Sequence, residues 1–474
     1  MDGNWFLWTL STFIGALLAL MVIGLLVFIF FRRGVQWLLT RFMKRLMQDR
    51  YAGNIWEMVT ALTRINPILV MENTLRAEAG EVIARPFGSP RKFLHCEGLI
   101  FSPAQLATFP RDEEEEIEMG ITIGPKAKKP LKLKAPIMAG AMGYGVGVSD
   151  KVKIAIAQGT AAVGTCTNTG EGPLLPEERE NAKFLIVQYS SGHWSHDPEI
   201  LKQADAIEIH IGQGASVGTA SIIPKEFIGG RASQLMGVED EELVVIPARH
   251  EEIKRPRDVG RLVEKLRDIT GGVPIGVKIV ASAAIEADLE VAVNAKVDFI
   301  SVDGAQAGTK GAAPILEDDF GLPTIFAISR AVRFLKKRGV KDHISLLSGG
   351  GYANPGHCLK AMALGVDGVY MGTSLLWAMT HDQVTKSIPW EPPTQLTYYS
   401  GTQKDLFDVE AAAKSLKRFF DSYIDEMKLA IRALGKTSVR DVNASDLVAL
   451  DDWTSKVTQV PLVTDVAARR AEQP

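Results

Sequence analysis

The sequence predicts an α/β fold, an eight-stranded β/α (TIM) barrel preceded by one transmembrane helix, and three observations carry that expectation. After Lys134, short apolar runs alternate with helical stretches. The runs are continuously apolar rather than alternating, as in strands covered on both faces. Ahead of them, the stretch from Trp5 to Phe31 holds no charged residue.

That first stretch exceeds the roughly 20 apolar residues a helix needs to cross a bilayer. Trp5 and Trp8 stand where an interfacial belt sits. A cleaved signal is the alternative, but it calls for a basic start and a shorter apolar core. Here Asp2 is acidic, and the run ends in Phe30, Phe31, Arg32 and Arg33. Arg41, Lys44 and Arg45 follow, so the positive-inside rule predicts a single-pass protein of the cell membrane with its catalytic domain in the cytoplasm. The expected organisation is an anchor over 1–34 and a helical linker with an N-terminal extension packing on the barrel over 35–134. The barrel itself is expected over 135–404 and a C-terminal helical cap over 405–474. Residues 35–80 form a basic amphipathic segment, suited to the membrane surface or to packing on the barrel.

The strands expected are Pro136–Ala139, Thr160–Gly164, Phe184–Val187, Ala206–Ile211, Pro274–Ile279, Val297–Val302, Ile344–Leu347 and Val366–Met371. Helices are expected over Ala283–Lys296 and Thr324–Lys337, with Asn354 as an N-cap ahead of Pro355. Eight units in about 240 residues match a closed barrel. The rival, a doubly wound sheet, more often has fewer strands and one glycine fingerprint near its start. Gly212 to Pro256 reads as an insertion on the loop side.

Composition narrows the function. Among 474 residues, 23% are charged, 46% are hydrophobic and the formal net charge is −3. A nucleic-acid partner would call for a basic face, so none is expected. Cys96, Cys166 and Cys358 lie far apart and make neither a disulfide framework nor a zinc site. His193, His196, His210, His250, His357 and His381 share no metal-ligand spacing, and no metal is expected. Cys358 reads as a small core residue.

Active sites of such barrels lie at the C-terminal ends of the strands, with phosphate on the loops after strands seven and eight. Strand seven runs into Ser348-Gly349-Gly350-Gly351 and strand eight into Met371-Gly372-Thr373-Ser374. Glycines let backbone N–H groups approach phosphate oxygens. Strand one ends in Gly140-Ala141-Met142-Gly143, small enough for a flat ring to stack on the backbone. Strand two leads to Glu171, strand four to His210, Gln213 and Ser216, and strand six to Asp303. Lys278 stands out most, because a lysine inside a buried strand is costly unless an anion pairs with it. The bland reading is a lysine snorkelling to the rim.

In these residues the chain resembles the FMN-binding domain of glutamate synthases, from about Arg85 to Leu450. The likeness runs through Arg85-Pro86-Phe87-Gly88, Phe101-Ser102-Pro103-Ala104-Gln105-Leu106, Ala135-Pro136-Ile137-Met138 and Asn168-Thr169-Gly170-Glu171-Gly172. It continues in Ile207-Glu208-Ile209, Gln213-Gly214-Ala215, Val277-Lys278, Asp303-Gly304-Ala305 and Tyr370-Met371-Gly372-Thr373. The resemblance implies an FMN-type barrel and an oxidoreductase that reduces an imine or oxidises an amine of a small keto or amino acid, with 2-oxoglutarate and glutamate foremost. Gly140, Ala141, Met142, Gly143, Gln188, Lys278, Asp303, Gly350, Gly351, Gly372 and Thr373 would bind the cofactor. Glu171, His210, Gln213 and Ser216 would face the substrate, with Lys278, Glu171 and Gln213 catalytic. Lys278 would supply a fixed positive charge beside the reduced ring.

Several positions depart from the family. Ser216 and His210 stand where its members carry lysines, His193-Trp194-Ser195 replaces a basic-aromatic-glycine turn, and Lys310 is extra in Gly308-Thr309-Lys310-Gly311. No cysteine follows Cys358, so the family's iron–sulfur cluster is not expected, nor is an amidotransferase domain. Electrons would then come from a soluble reductant, the membrane or a donor protein. Rival readings are a reduced-flavin isomerase and a non-catalytic or electron-transfer membrane subunit.

Overall fold

The computed structural model describes residues 3–239 and 243–465. Residues 1–2 of the expected anchor, 240–242 of the insertion and 466–474 of the expected cap lie outside them. The chain divides into two compact units, Met1–Ile83 and Ala84–Pro474.

In the first unit, Gly3–Gln48 is one unbroken helix of 46 residues. It is long and apolar enough to cross a membrane, and none of its most apolar window is buried. It runs on past the expected anchor into the segment expected to be helical, and a turn follows it around Asn54. There the Asn54 amide donates to Leu46 O and Asp49 O at 3.0 Å, tying the turn to the last carbonyls. Two shorter helices follow. Trp56–Arg64 has no buried residue. Pro67–Ala79 has Asn66 as N-cap, Pro67 in its first turn and left-handed Gly80 as its stop.

The second unit is built around eight parallel strands: β1 Ile137–Ala139, β2 Cys166–Asn168, β3 Phe184–Tyr189, β4 Ala206–His210, β5 Ile275–Val280, β6 Phe299–Asp303, β7 Ser345–Gly349 and β8 Gly368–Met371. Each pairs with its successor from β2 to β8, and β8 returns to β1 through Val369–Ile137 and Met371–Ala139. The β1–β2 seam is drawn together by Thr165 Oγ1 donating to Ile137 O at 2.7 Å and Lys134 N to Gly164 O at 2.9 Å. An open doubly wound sheet has no such return, so the rival fold is excluded. The strands are buried on both faces, as their continuous apolar runs require.

The second strand falls later than the sequence suggests. Thr160–Gly164 is the end of helix Asp150–Val163, and Gly164, at φ 77°, terminates it in the left-handed conformation. An alanine-rich run has high helix propensity, so the apolar signal there belonged to a buried helix. The polar Cys166–Asn168 is the strand instead. Helices Ile285–Asn294 and Thr324–Lys337 fill the expected crossovers. The Asn354 side chain caps Pro355–Leu364 by accepting from His357 N.

The segments before and after the barrel form one layer. Leu99–Phe101 pairs antiparallel with Leu447–Ala449. The hairpin Ile121–Ile123/Leu131–Leu133 turns four buried aliphatic side chains inward. It is tied to the start of β7 by Gly124 N donating to Ser345 Oγ at 3.1 Å. It closes the N-terminal end of the barrel and leaves the C-terminal rim for chemistry. Helix Val409–Ala433 lies on Asp150–Val163, where a Cβ at Gly159 would come within 2.8 Å of Leu416. The insertion after β4 holds a hairpin, Ser221–Pro224/Leu243–Ile246, and the short helix Arg231–Met236.

Candidate active site

The barrel interior just below the rim is polar. Lys278 on β5 stands in register with His210 on β4 and Ser301 on β6. Its ammonium lies 3.2 Å from Asp303 Oδ2, with both side chains buried. Burial pushes the Lys278 pKa down, but the carboxylates of Asp303, Glu208 and Glu171 outweigh it and hold it above the ordinary lysine value. The lysine therefore stays charged inside the barrel, and it does not snorkel outward.

Glu208 is the hub of that interior. Fully buried on β4, it accepts at Oε1 from Asn168 Nδ2 at 3.0 Å and Gln188 Nε2 at 2.9 Å. Its Oε2 accepts from Ser301 Oγ at 2.6 Å and Tyr370 OH at 3.2 Å. Four donors from β2, β3, β6 and β8 thus compensate the desolvation of one carboxylate. This role escapes a motif search, although the signal was present: a carboxylate between Ile207 and Ile209 is as anomalous in a buried strand as Lys278.

Glu171 and His210 form the second pair, with Glu171 Oε1 3.2 Å from His210 Nδ1. Burial works against the Glu171 carboxylate, yet the ring of His210, then Lys278 and His250, prevail and keep its pKa below the usual range. Trp194 Nε1 donates to Glu171 O at 2.8 Å, fixing the loop from the side. His250 bonds the His210 carbonyl at 2.7 Å, and Tyr189 lies parallel to the rings of both His196 and His250. His196 and His250 thus gather with His210 here. Its Nε2 is buried without a partner.

The opposite arc is made of backbone. Gly350, at φ 124°, follows β7, and its carbonyl accepts from Thr324 Oγ1 and meets His95 Nε2, each at 3.0 Å. A Cβ there would sit 2.5 Å from Thr324 Oγ1, whereas one on Gly372 would meet nothing within 4 Å. Gly372 begins helix Thr373–Thr380 without a side-chain cap, and a helix cannot satisfy its own first amides. Open space and unsatisfied N–H groups at a helix start suit a phosphate.

The other anticipated residues fall around these two arcs. Gln188 is buried, and its Oε1 has no partner. Gly140 N bonds Met371 O at 2.7 Å, placing the Gly140–Gly143 loop beside the end of β8. Gly143 is needed for closeness of backbone: a Cβ on it would lie 2.6 Å from Gly172 N, and one on Gly170 would lie 2.5 Å from Gly143 N. Ala141 and Met142, between them, are half-buried. Gly351, at φ 76°, follows Gly350. Gln213 and Ser216 share one turn, in which Gln213 O accepts from Val217 N and Ser216 O from Thr219 N.

A flavin nucleotide fits this set. Gln188 Oε1 is an acceptor awaiting a donor, Lys278 is a caged cation, and the β7–β8 loops offer amides for a phosphate. Together the closed barrel and its rim define an FMN-dependent oxidoreductase of the β/α-barrel type. The family model described as the conserved region in glutamate synthase matches residues 91–437, and the chain belongs to that family. A glutamate synthase large subunit-like protein of Rhizobium meliloti (strain 1021) is 30% identical over 81% of this chain and 91% of its own length. The archaeal-type glutamate synthase [NADPH] of Thermotoga sp. (strain RQ2) is 34% identical over 56% of this chain, which spans only 52% of that relative. Among solved structures, a lactate oxidase of Pediococcus acidilactici is similar in fold, with TM-score 0.52 and 16% identity over 80% of this chain and 94% of that one.

Proposed function

We propose that this chain is a membrane-anchored oxidoreductase of a carbon–nitrogen bond, reducing the imine of a small keto acid or oxidising the matching amine, with 2-oxoglutarate and glutamate as the pair. The observation that carries the proposal is the Glu171–His210 pair beside the Lys278–Asp303 pair on one arc of the rim. FMN, when bound, gives or takes the hydride. Everything else falls to the chain. Lys278 holds a positive charge where the ring gains electrons. His210, oriented through Nδ1 by Glu171, presents Nε2 to the substrate and can hold or pass the proton that balances the hydride. Gln213 and Ser216 border the same space. The closed barrel beneath keeps out water.

Electrons come from a separate donor, a soluble nicotinamide or a membrane or protein partner. The apolar helix supports a single-pass anchor, and Arg32, Arg33, Arg41, Lys44 and Arg45 support a cytoplasmic barrel. The test uses detergent-solubilised full-length protein whose flavin is reduced without oxygen. Addition of 2-oxoglutarate and ammonia should reoxidise the flavin and yield glutamate. Reoxidation by no keto acid with ammonia would reject the C–N assignment, and protein that washes from membranes without detergent would reject the anchor.

A further inference from the structure

Behind the glycine loop after β7, the structure brings together three groups that the chemistry above leaves unused. His95 precedes the short turn Cys96–Gly98, Glu97 lies within that turn, and His357 stands in the first turn of helix Pro355–Leu364. One ligand atom from each lies within 4.8 Å of the other two. The imidazole ring centres lie 4.9 Å apart with the planes tilted by 39°, and His357 Nε2 lies 3.4 Å from Glu97 Oε1. The His95 side chain is buried, and its Nδ1 and the Nδ1 of His357 have no hydrogen-bond partner.

We propose that His95, His357 and Glu97 form a binding site for a divalent transition-metal ion of the zinc class. A buried imidazole nitrogen without a partner forfeits its hydrogen bond to water, and two rings that each carry one, next to a carboxylate, suit a shared cation. Because His95 Nε2 is engaged with Gly350 O at 3.0 Å, the ring is held as the Nε2–H tautomer, and its lone pair rests on Nδ1. This is how metal-ligating histidines are usually oriented. Two imidazoles with one carboxylate favour zinc-like ions over magnesium or calcium, which prefer oxygen-only sets. Metal–ligand bonds of about 2.0–2.2 Å call for ligand atoms closer than these by roughly 1 Å. Glu97, whose side chain is 70% exposed, is free to swing in and gives the ion its way in from solvent.

The site is joined to the rim through the His95–Gly350 bond. A metal on Nδ1 strengthens the Nε2–H donor and so stiffens the loop that faces the cofactor phosphate. Linkage then requires that zinc tighten FMN and FMN tighten zinc by the same factor.

The experiment is equilibrium dialysis of the full-length, detergent-solubilised protein against Zn²⁺, with the bound metal counted. One ion per chain is expected. His95→Asn and His357→Asn should each weaken binding by ~100-fold or more, beyond the 10–100-fold typical of merely supporting residues. Glu97→Gln, on an exposed side chain that cannot unfold the domain, should weaken it about tenfold, the loss of about 1.4 kcal/mol. His381→Ala, an exposed control, should change nothing. Zinc that fails to bind, or that binds equally to the Glu97 and His357 variants, overturns the proposal whatever the enzyme's substrate proves to be. FMN release that zinc leaves unchanged overturns the link to the rim.

Discussion

On the arc of the rim from the loop after β2 to β6, recognition is built from side-chain charges, whereas on the β7–β8 arc it is built from backbone. The first arc holds the Lys278–Asp303 and Glu171–His210 pairs, with Glu208 held beside them by Asn168, Gln188, Ser301 and Tyr370. The second holds Gly350, Gly351 and Gly372, whose worth lies in a positive φ or in empty space. Charges in a low dielectric depend on every partner being present; amides depend on conformation and are indifferent to pH. Mutations on the two arcs should therefore fail in different ways.

The largest effect is expected on the charged arc. Lys278→Met leaves the Asp303 carboxylate buried without its partner, which should cost about 3–5 kcal/mol in denaturant unfolding. It should also lower flavin-dependent turnover by about 10²–10³-fold, the range for a lost electrostatic stabiliser. Pairing it with Asp303→Asn should return much of the stability and none of the turnover. If the double variant recovered both, the lysine would be a packing element only.

The backbone arc should split stability from binding. Gly350→Ala forces a Cβ against Thr324 Oγ1 at φ 124°, and such strain costs about 1–3 kcal/mol. Gly372→Ala meets no neighbour and should alter stability by less than about 1 kcal/mol. It should nevertheless weaken FMN about tenfold or more, because the added methyl fills the open space through which a phosphate would reach the amides, and a hydrogen bond to a charged group contributes about 1.5–3 kcal/mol. Flavin fluorescence titration reads this directly, and unchanged affinity would remove the phosphate from that helix start.

The two arcs also differ in how far the sequence reveals them. Glycines at two adjacent strand ends and a lysine among aliphatics are local signals, so the β7–β8 loops and Lys278 are legible without coordinates. The Lys278–Asp303 pair joins neighbouring strands 25 positions apart, and a barrel register is needed to place one beside the other. Glu208 is harder, since its donors come from four strands and none is close in sequence. The helix Asp150–Val163 misleads for another reason. Its last turn, Thr160-Ala161-Ala162-Val163, is a short run with no charged residue to mark a helical period, so it imitates a strand.

Smaller effects concern pH, and two of them belong to the charged arc. The Glu171 pKa is depressed by folding, so its contribution is present above the ordinary carboxylate value and is lost as pH falls through the folded one. The Lys278 pKa is raised, so its contribution is complete below the ordinary lysine value and is lost as pH rises through the folded one. Between these limits neither of the two groups changes stability. Glu171→Gln should flatten the acid limb of an unfolding-against-pH curve, while Gly372→Ala leaves the curve's shape intact. An acid limb unaffected by Glu171→Gln would mean that another carboxylate governs it.

The smallest change expected is at Ser216, where the two arcs leave a gap. The residue is half-buried in a turn whose next two positions, Val217 and Gly218, have φ 40° and 73°. A lysine can run its stem along the rim there and keep its head solvated, so Ser216→Lys should alter stability by no more than about 0.5 kcal/mol. If a 2-oxoglutarate carboxylate lies beside that turn, the new ammonium should raise kcat/KM about fivefold, the equivalent of about 1 kcal/mol for a partly exposed charge pair. The gain should appear in KM rather than kcat, because a carboxylate away from the reacting carbon is held equally in ground and transition states. A gain in kcat instead would place the turn against the reacting atoms. No gain at all would mean that His210, and not the vacant position, now sets which acid this barrel accepts.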